Sequence, residues 1–199
     1  MKDKPKHIII STQPATAFVS VDNPMVWFSD NFAQDWYIDA INQSRNGKDH
    51  NAIRREIIFA TCFAESYIFE WTRQKVQIEE INDYFPSRHR FKNDPRYHRT
   101  LIKKWKEIPE ELYKESKIPL NPKLDLSGLG TLVKYRNGLI HASASRPATD
   151  IQPAKIRPYP TKNMLRKLKA GWAVKTVFDL VTSLHKAVGD PLPHYVEYP

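Results

Sequence analysis

The sequence predicts an all-α fold, a bundle of four to five helices with a short extended N-terminal arm and a proline-rich C-terminal tail. Three observations carry that reading. The 199 residues hold fifteen prolines but only six glycines. Those prolines gather at 5–24, 86–95, 109–122, 147–160 and 191–199. A proline inside a helix removes a hydrogen bond and clashes with the preceding turn, so helices are expected in the proline-free intervals 25–85, 96–108, 123–146 and 161–190. Within them apolar residues recur at steps of three and four, and alternating runs are few.

Taken in order, residues 1–28 read as an arm in which His7–Ser11 and Ala17–Val21 have the character of short strands. Ser29–Ser44 carries Phe32, Trp36, Ile38, Ala40 and Ile41, with Ser29 or Asp30 as N-cap and Arg45-Asn46-Gly47 as the stop. Asn51–Val76 gives the strongest helical signal. Its stripe is Ile53, Ile57, Ala60, Ala64 and Ile68, widened by Ile58, Cys62 and Phe69. Leu126, Leu129, Leu132, Val133, Leu139 and Ile140 mark a third helix, and Met164–Val188, beginning near Thr161, a fourth. The helical domain therefore covers 29–190, and 191–199 reads as an extended surface tail.

Composition narrows the function. With 41% hydrophobic and 27% charged residues the chain can bury a core, and 31 Lys+Arg against 22 Asp+Glu give a net charge of +9. An excess of that sign predicts attraction to a polyanion, with nucleic acid first. Cys62, the single cysteine, excludes an internal disulfide and a Cys-rich zinc finger, reads as a small core residue and suits a reducing compartment. The apolar region of a signal peptide is missing near the N-terminus, and no stretch approaches the ~20 apolar residues of a membrane span. A cytoplasmic protein is the expectation. His89 and His98 have no metal-site spacing, and there is no two-metal acidic cluster, Walker loop or GxSxG elbow, so neither metal nor cofactor is expected.

The most informative segment is Lys134-Tyr135-Arg136-Asn137-Gly138-Leu139-Ile140-His141-Ala142. At about 100° per residue, Asn137 and His141 share a helical face as an i, i+4 pair. Arg136 lies about 140° from His141 and must reach sideways to act beside it. Glu65 falls three residues after Cys62, seven after Ile58 and four before Phe69, so it is expected in the apolar stripe of its helix. A carboxylate there needs a partner, and Arg136 or His141 would supply one. A purely structural Glu–Arg pair satisfies the same pattern.

The Arg-Asn-x-x-x-His run at Arg136–His141, a preceding helix with a Glu in its core-facing stripe, and the position of the motif late in an all-α chain together resemble the HEPN superfamily (higher eukaryotes and prokaryotes nucleotide-binding). The resemblance covers about residues 50–190. It implies a metal-independent ribonuclease acting as a dimer, in a defence or toxin–antitoxin setting with an antitoxin or other protein partner. On that reading Arg136 and His141 carry the chemistry, and Asn137 and Glu65 position them.

Metal-free RNA cleavage uses the 2′-OH as nucleophile and leaves a 2′,3′-cyclic phosphate, with imidazole moving protons and a guanidinium stabilising the phosphorane. DNA, lacking the 2′-OH, is excluded as a cleavable substrate. One His per motif makes a homodimer a mechanistic expectation too.

Grip on RNA is expected from two basic segments. Arg88, Arg90, Lys92, Arg96, Arg99, Lys103, Lys104 and Lys106 stand against one acid, Asp94, with Phe91, Tyr97 and Trp105 interleaved as stacking faces. Lys155, Arg157, Lys162, Arg166, Lys167, Lys169 and Lys175 run from 151 to 178 with no acid. The alternatives are a non-catalytic HEPN-like module that binds RNA, a nucleotide or a protein, and a helical scaffold whose charge only keeps it soluble.

Overall fold

A computed structural model describes residues 7–12, 15–20, 26–30, 32–46, 50–86, 96, 99–114, 124–142, 165 and 167–197. From residue 32 onward the described regular structure is entirely helical. It comprises α1 (Phe32–Arg45), α2 (His50–Lys75), a 3-10 turn (Ile78–Glu80), the single-turn α3 (Ile81–Tyr84), α4 (Leu101–Lys114), α5 (Ser127–Ala142) and α6 (Trp172–Val188). Before it, β1 (His7–Thr12), β2 (Ala15–Ser20) and β3 (Val26–Asp30) form an antiparallel sheet in the order β1-β2-β3. His7 pairs with Ser20, and Ala15 with Asp30.

The 26-residue α2 is the spine, in contact with each of the other five helices. Its sequence explains this. Ile53, Ile57, Ala60, Ala64, Ile68 and Trp71 step by four or three and are all buried, joined by Phe63 and Tyr67 on the same side. An aromatic chain runs from that face through the core. Tyr37 of α1 meets Phe63, Phe63 meets Tyr67, and Tyr67 stacks on Trp105 of α4, with centroids 4.7, 5.3 and 6.0 Å apart. From α6, Val174, Val177, Val181 and Leu184 close the core.

Three boundaries differ from the sequence expectation, each for a visible reason. Ser29 and Asp30 belong to β3 and do not cap a helix; α1 begins at Phe32, where the Ala33 N–H donates to Glu70 Oε1 of α2 at 3.0 Å. Pro109 lies inside α4 instead of opening a loop. It is buried beside Trp105 and Ile108, so apolar burial offsets the hydrogen bond that proline forfeits. The last helix begins at Trp172, not near Thr161, because Gly171 takes a left-handed φ of 84° that stops helix propagation backwards.

The segment expected as a surface tail docks as well. Val196 is buried in the core and Tyr37 Oη donates to the Glu197 carbonyl at 2.6 Å, while just before the segment Lys75 pairs with Asp190.

Close approach explains a glycine in α5. A Cβ on Gly128 would stand 2.9 Å from Thr176 Cγ2 of α6, whose hydroxyl already donates to the Trp172 carbonyl. The α5–α6 crossing is thereby fixed at the N-terminal end of the helix that carries the motif.

Candidate functional site

Helix α5 contains the whole Arg136–His141 run, and Asn137 and His141 stand one turn apart on its backbone. The His141 side chain lies outside the described residues. Arg136 is half-buried. Its Nη1 donates to Asn137 Oδ1 at 3.1 Å, while its Nε is buried without a hydrogen-bond partner among the described residues. No carboxylate among those residues forms an ion pair with this guanidinium.

The Arg136 charge is felt at Cys62 of α2, the helix that α5 contacts. Burial raises its thiol pKa above the ordinary value, the Arg136 charge pulls it down, and the Glu65 charge pushes it up again. The two charges act on this thiol in opposite directions, and no ion pair joins Glu65 to Arg136 among the described residues. Glu65 itself is 54% exposed and pairs with Lys104 Nζ of α4 at 3.7 Å. The expectation that Glu65 stands in the core stripe is corrected. Ile58, Cys62 and Phe69, the residues used to place it there, form the half-exposed flank of α2.

The acid that does occupy the stripe is Glu56, which the sequence reading passed over. It is 1% exposed and accepts N–H bonds at the start of α6, from Gly171 (3.1 Å), Ala173 (2.9 Å) and Val174 (3.3 Å). Burial raises its pKa and these three bonds oppose the rise. The signal was in the spacing: Glu56 lies three after Ile53 and four before Ala60. A second acid of α2, Glu70, caps α1 through Ala33. Burial pushes its pKa up to about 7, against the Ala33 bond and the Arg73 charge, with Asp35 adding to the rise.

His185 of α6 is a buried histidine outside the motif. It meets the Tyr67 hydroxyl through Nε2 at 2.5 Å, and burial lowers its pKa. Tyr67 is itself a core residue, 3% exposed.

The expected RNA-gripping residues divide. Arg99 is corrected: its side chain is 7% exposed and its charge is answered by Glu107 at 2.9 Å and by Glu111, so it ties residue 99 to α4 instead of standing on an open basic surface. Trp105 is corrected too, being fully buried with its Nε1 donating to the Ala64 carbonyl at 2.9 Å. Arg96 is engaged with Asp83 through the carbonyl at 2.7 Å and the carboxylate at 3.6 Å. Lys103 and Lys167 are exposed, and Lys104 is three-quarters covered. Arg88, Arg90, Lys92 and Arg166, with Phe91 and Tyr97, lie outside the described residues.

Among the described residues no three His, Cys, Asp or Glu side chains converge in a way that would hold a metal ion, and no helix is long and apolar enough to cross a membrane. Comparisons with protein-family models, with curated proteins and with solved structures returned no match.

Proposed function

We propose that the chain is a HEPN-like, metal-independent endoribonuclease that works as a homodimer, in a defence or toxin–antitoxin setting with a protein partner controlling it. One observation carries the reading: Arg136 is a half-buried guanidinium with a buried, unpartnered Nε and no carboxylate ion pair among the described residues, five residues before the histidine of the same motif on one helix. Withdrawing a cation from water without a counter-charge is costly, and an anionic ligand removes that cost. A phosphodiester is the anion that a cation and an imidazole on one helix are equipped to process.

In this scheme the ribose 2′-OH attacks phosphorus while an imidazole removes its proton. Arg136 stabilises the equatorial oxygens of the phosphorane. The P–O5′ bond then breaks, the leaving oxygen takes a proton from the second subunit's copy of His141, and the products are a 2′,3′-cyclic phosphate and a 5′-hydroxyl. Asn137 holds the guanidinium through its side-chain oxygen.

A non-catalytic RNA- or nucleotide-binding module is the second reading. It is favoured by Glu65, which meets Lys104 and leaves Arg136 without an acidic orienting group.

Incubating the purified protein with single-stranded RNA in EDTA, beside His141→Ala and Arg136→Ala, separates the two. Cleavage by the wild type, absent in both variants and ending in cyclic phosphate, supports the nuclease. RNA binding with identical, negligible cleavage in all three proteins supports the module.

A further inference from the structure

Helix α2 carries a second guanidinium of the same kind as Arg136. Arg54 is half-buried, its Nε is buried without a hydrogen-bond partner, and no ion pair involves it among the described residues. Two contacts of α6 give its level in the bundle. Glu56 accepts the N–H groups of Gly171, Ala173 and Val174 at the start of α6, and the Tyr135 ring of α5 meets the Trp172 ring edge-on with centroids 5.8 Å apart. Residues 54–56 of α2 and 135–136 of α5 therefore lie beside the same turn of α6.

Helical phase gives the side on which each cation stands. Around α2 the buried positions run from Glu56 through Ile53 and Ile57 to Thr61, and Arg54 follows Thr61 by about 20°. At the opposite margin Phe59 and Phe63 meet Trp36 and Tyr37 of α1, and α4 is anchored farther along α2, where Trp105 donates to the Ala64 carbonyl. Helix α5 is the described helix left to cover Ile57 and Thr61, so Arg54 stands at the margin of the α2–α5 contact. On α5, Arg136 lies about 100° on from Tyr135 and continues the buried stripe of Leu129 and Leu132. The two guanidinium groups thus border one seam from its two helices.

We propose that Arg54 holds the phosphate next to the one that Arg136 holds, so that the α2–α5 seam takes an RNA strand with at least two phosphodiesters. The proposal rests on the RNA reading above and adds a strand-holding residue and the smallest substrate that uses the whole site.

Two half-buried cations at one seam repel each other, and each raises the cost of drawing the other from water. An anion with one charge answers only one of them. Successive phosphates of a strand answer both, and the net charge of +9 favours an extended polyanion over a single nucleotide. Arg55 supplies the contrast. It is exposed, points about 100° away from Arg54 and donates from Nε to Gln43 Oε1 of α1 at 2.9 Å.

Binding of a fluorescent single-stranded RNA is measured by anisotropy over a salt series on the His141→Ala background, where cleavage cannot interfere. The proteins are the parent, Arg54→Gln, which keeps most of the stem and loses the charge, Arg54→Lys, which keeps the charge, and Arg55→Gln. Arg54→Gln should bind about tenfold more weakly at low salt. Its slope of log affinity against log salt should be shallower by about 0.7, the loss of one single-strand phosphate contact. Arg54→Lys should keep the parent slope, and Arg55→Gln should stay close to the parent in both quantities. With His141 intact, the wild type should cleave an RNA of two phosphodiesters more efficiently than one of a single phosphodiester, and Arg54→Gln should lose that preference.

An unchanged salt slope in Arg54→Gln overturns the proposal, as does an equal change in Arg55→Gln, which would reduce the effect to overall charge. A melting temperature of Arg54→Gln far below the parent's also overturns it, by revealing a structural partner for this guanidinium. Tighter Arg54-dependent binding of a nucleoside triphosphate than of the strand would overturn the RNA assignment. If RNA binds in an Arg54-dependent way and the wild type does not cleave it, the nuclease reading falls and this proposal stands; if the parent binds no RNA, both fall.

Discussion

Glu56 on α2 and Arg136 on α5 are charged side chains drawn away from water in one bundle, and their surroundings treat them in opposite ways. Glu56 receives three backbone N–H groups at the positive end of α6, so its charge is matched by the fold itself. Arg136 has an amide oxygen on one side and nothing on its buried Nε among the described residues. The difference teaches how to tell a structural charge from a candidate working one. A buried ion that backbone dipoles satisfy holds the molecule together, whereas a partly buried ion left unanswered is a place for something from outside.

The widest separation between the two is expected in activity. Arg136→Ala should lower RNA cleavage by at least about a hundredfold, the loss typical for removing one preorganised charge donor at a developing oxyanion. Its urea-unfolding stability should move by less than about 1 kcal/mol, because no paired partner is stranded. A large stability loss would show that a hidden structural partner answers this guanidinium.

Glu56→Ala should do the reverse and destabilise by about 3 kcal/mol in urea unfolding, by stranding several N–H groups at the start of α6. A loss under 1 kcal/mol would break the comparison at its structural end.

Gly128→Ala supplies the reference cost of a packing change involving no charge. Thr176 is β-branched and stiff, so the added methyl should cost about 1–2 kcal/mol, read by the same unfolding curves.

The smallest effect tests the other capping acid. In the folded chain Glu70 keeps its proton up to about pH 7, against an ordinary value of 4.5. Between those values the folded state holds more protons than the unfolded one, so this group's stabilising contribution is full below about 4.5 and is lost as pH rises through 7. Burial lowers the His185 pKa, which works in the opposite direction. The informative quantity is therefore the difference from Glu70→Gln: the wild type should lose more Tm than the variant between pH 5 and pH 8. Parallel profiles would remove Glu70 as a titrating cap.

Helix α2 shows how far the sequence could be read. Its existence and inner face followed from Ile53, Ile57, Ala60, Ala64 and Ile68, because a three-and-four rhythm sustained over about four turns has one helical solution. The width of that face did not follow. Cys62 and Phe69 are as hydrophobic as their neighbours, and only the directions from which α4 and α5 arrive leave them on the flank and carry Glu65 out to Lys104. Arg99 and Trp105 erred for a related reason. A run rich in cations and aromatics reads as a binding surface, but whether a given member turns outward depends on the helix phase and on acids such as Glu107 and Glu111 standing within reach.

By itself the sequence determined where helices can form and which segment carries a recognisable Arg-Asn-x-x-x-His run, because proline placement and apolar period act locally along the chain. Only the tertiary structure decided which charges are answered. Whether Glu56 or Glu65 enters the core, whether a distant glycine starts a helix on that acid, and whether Arg136 finds a counter-charge depend on helices brought together from far apart in sequence, and the energy of a buried charge is set by what surrounds it in space.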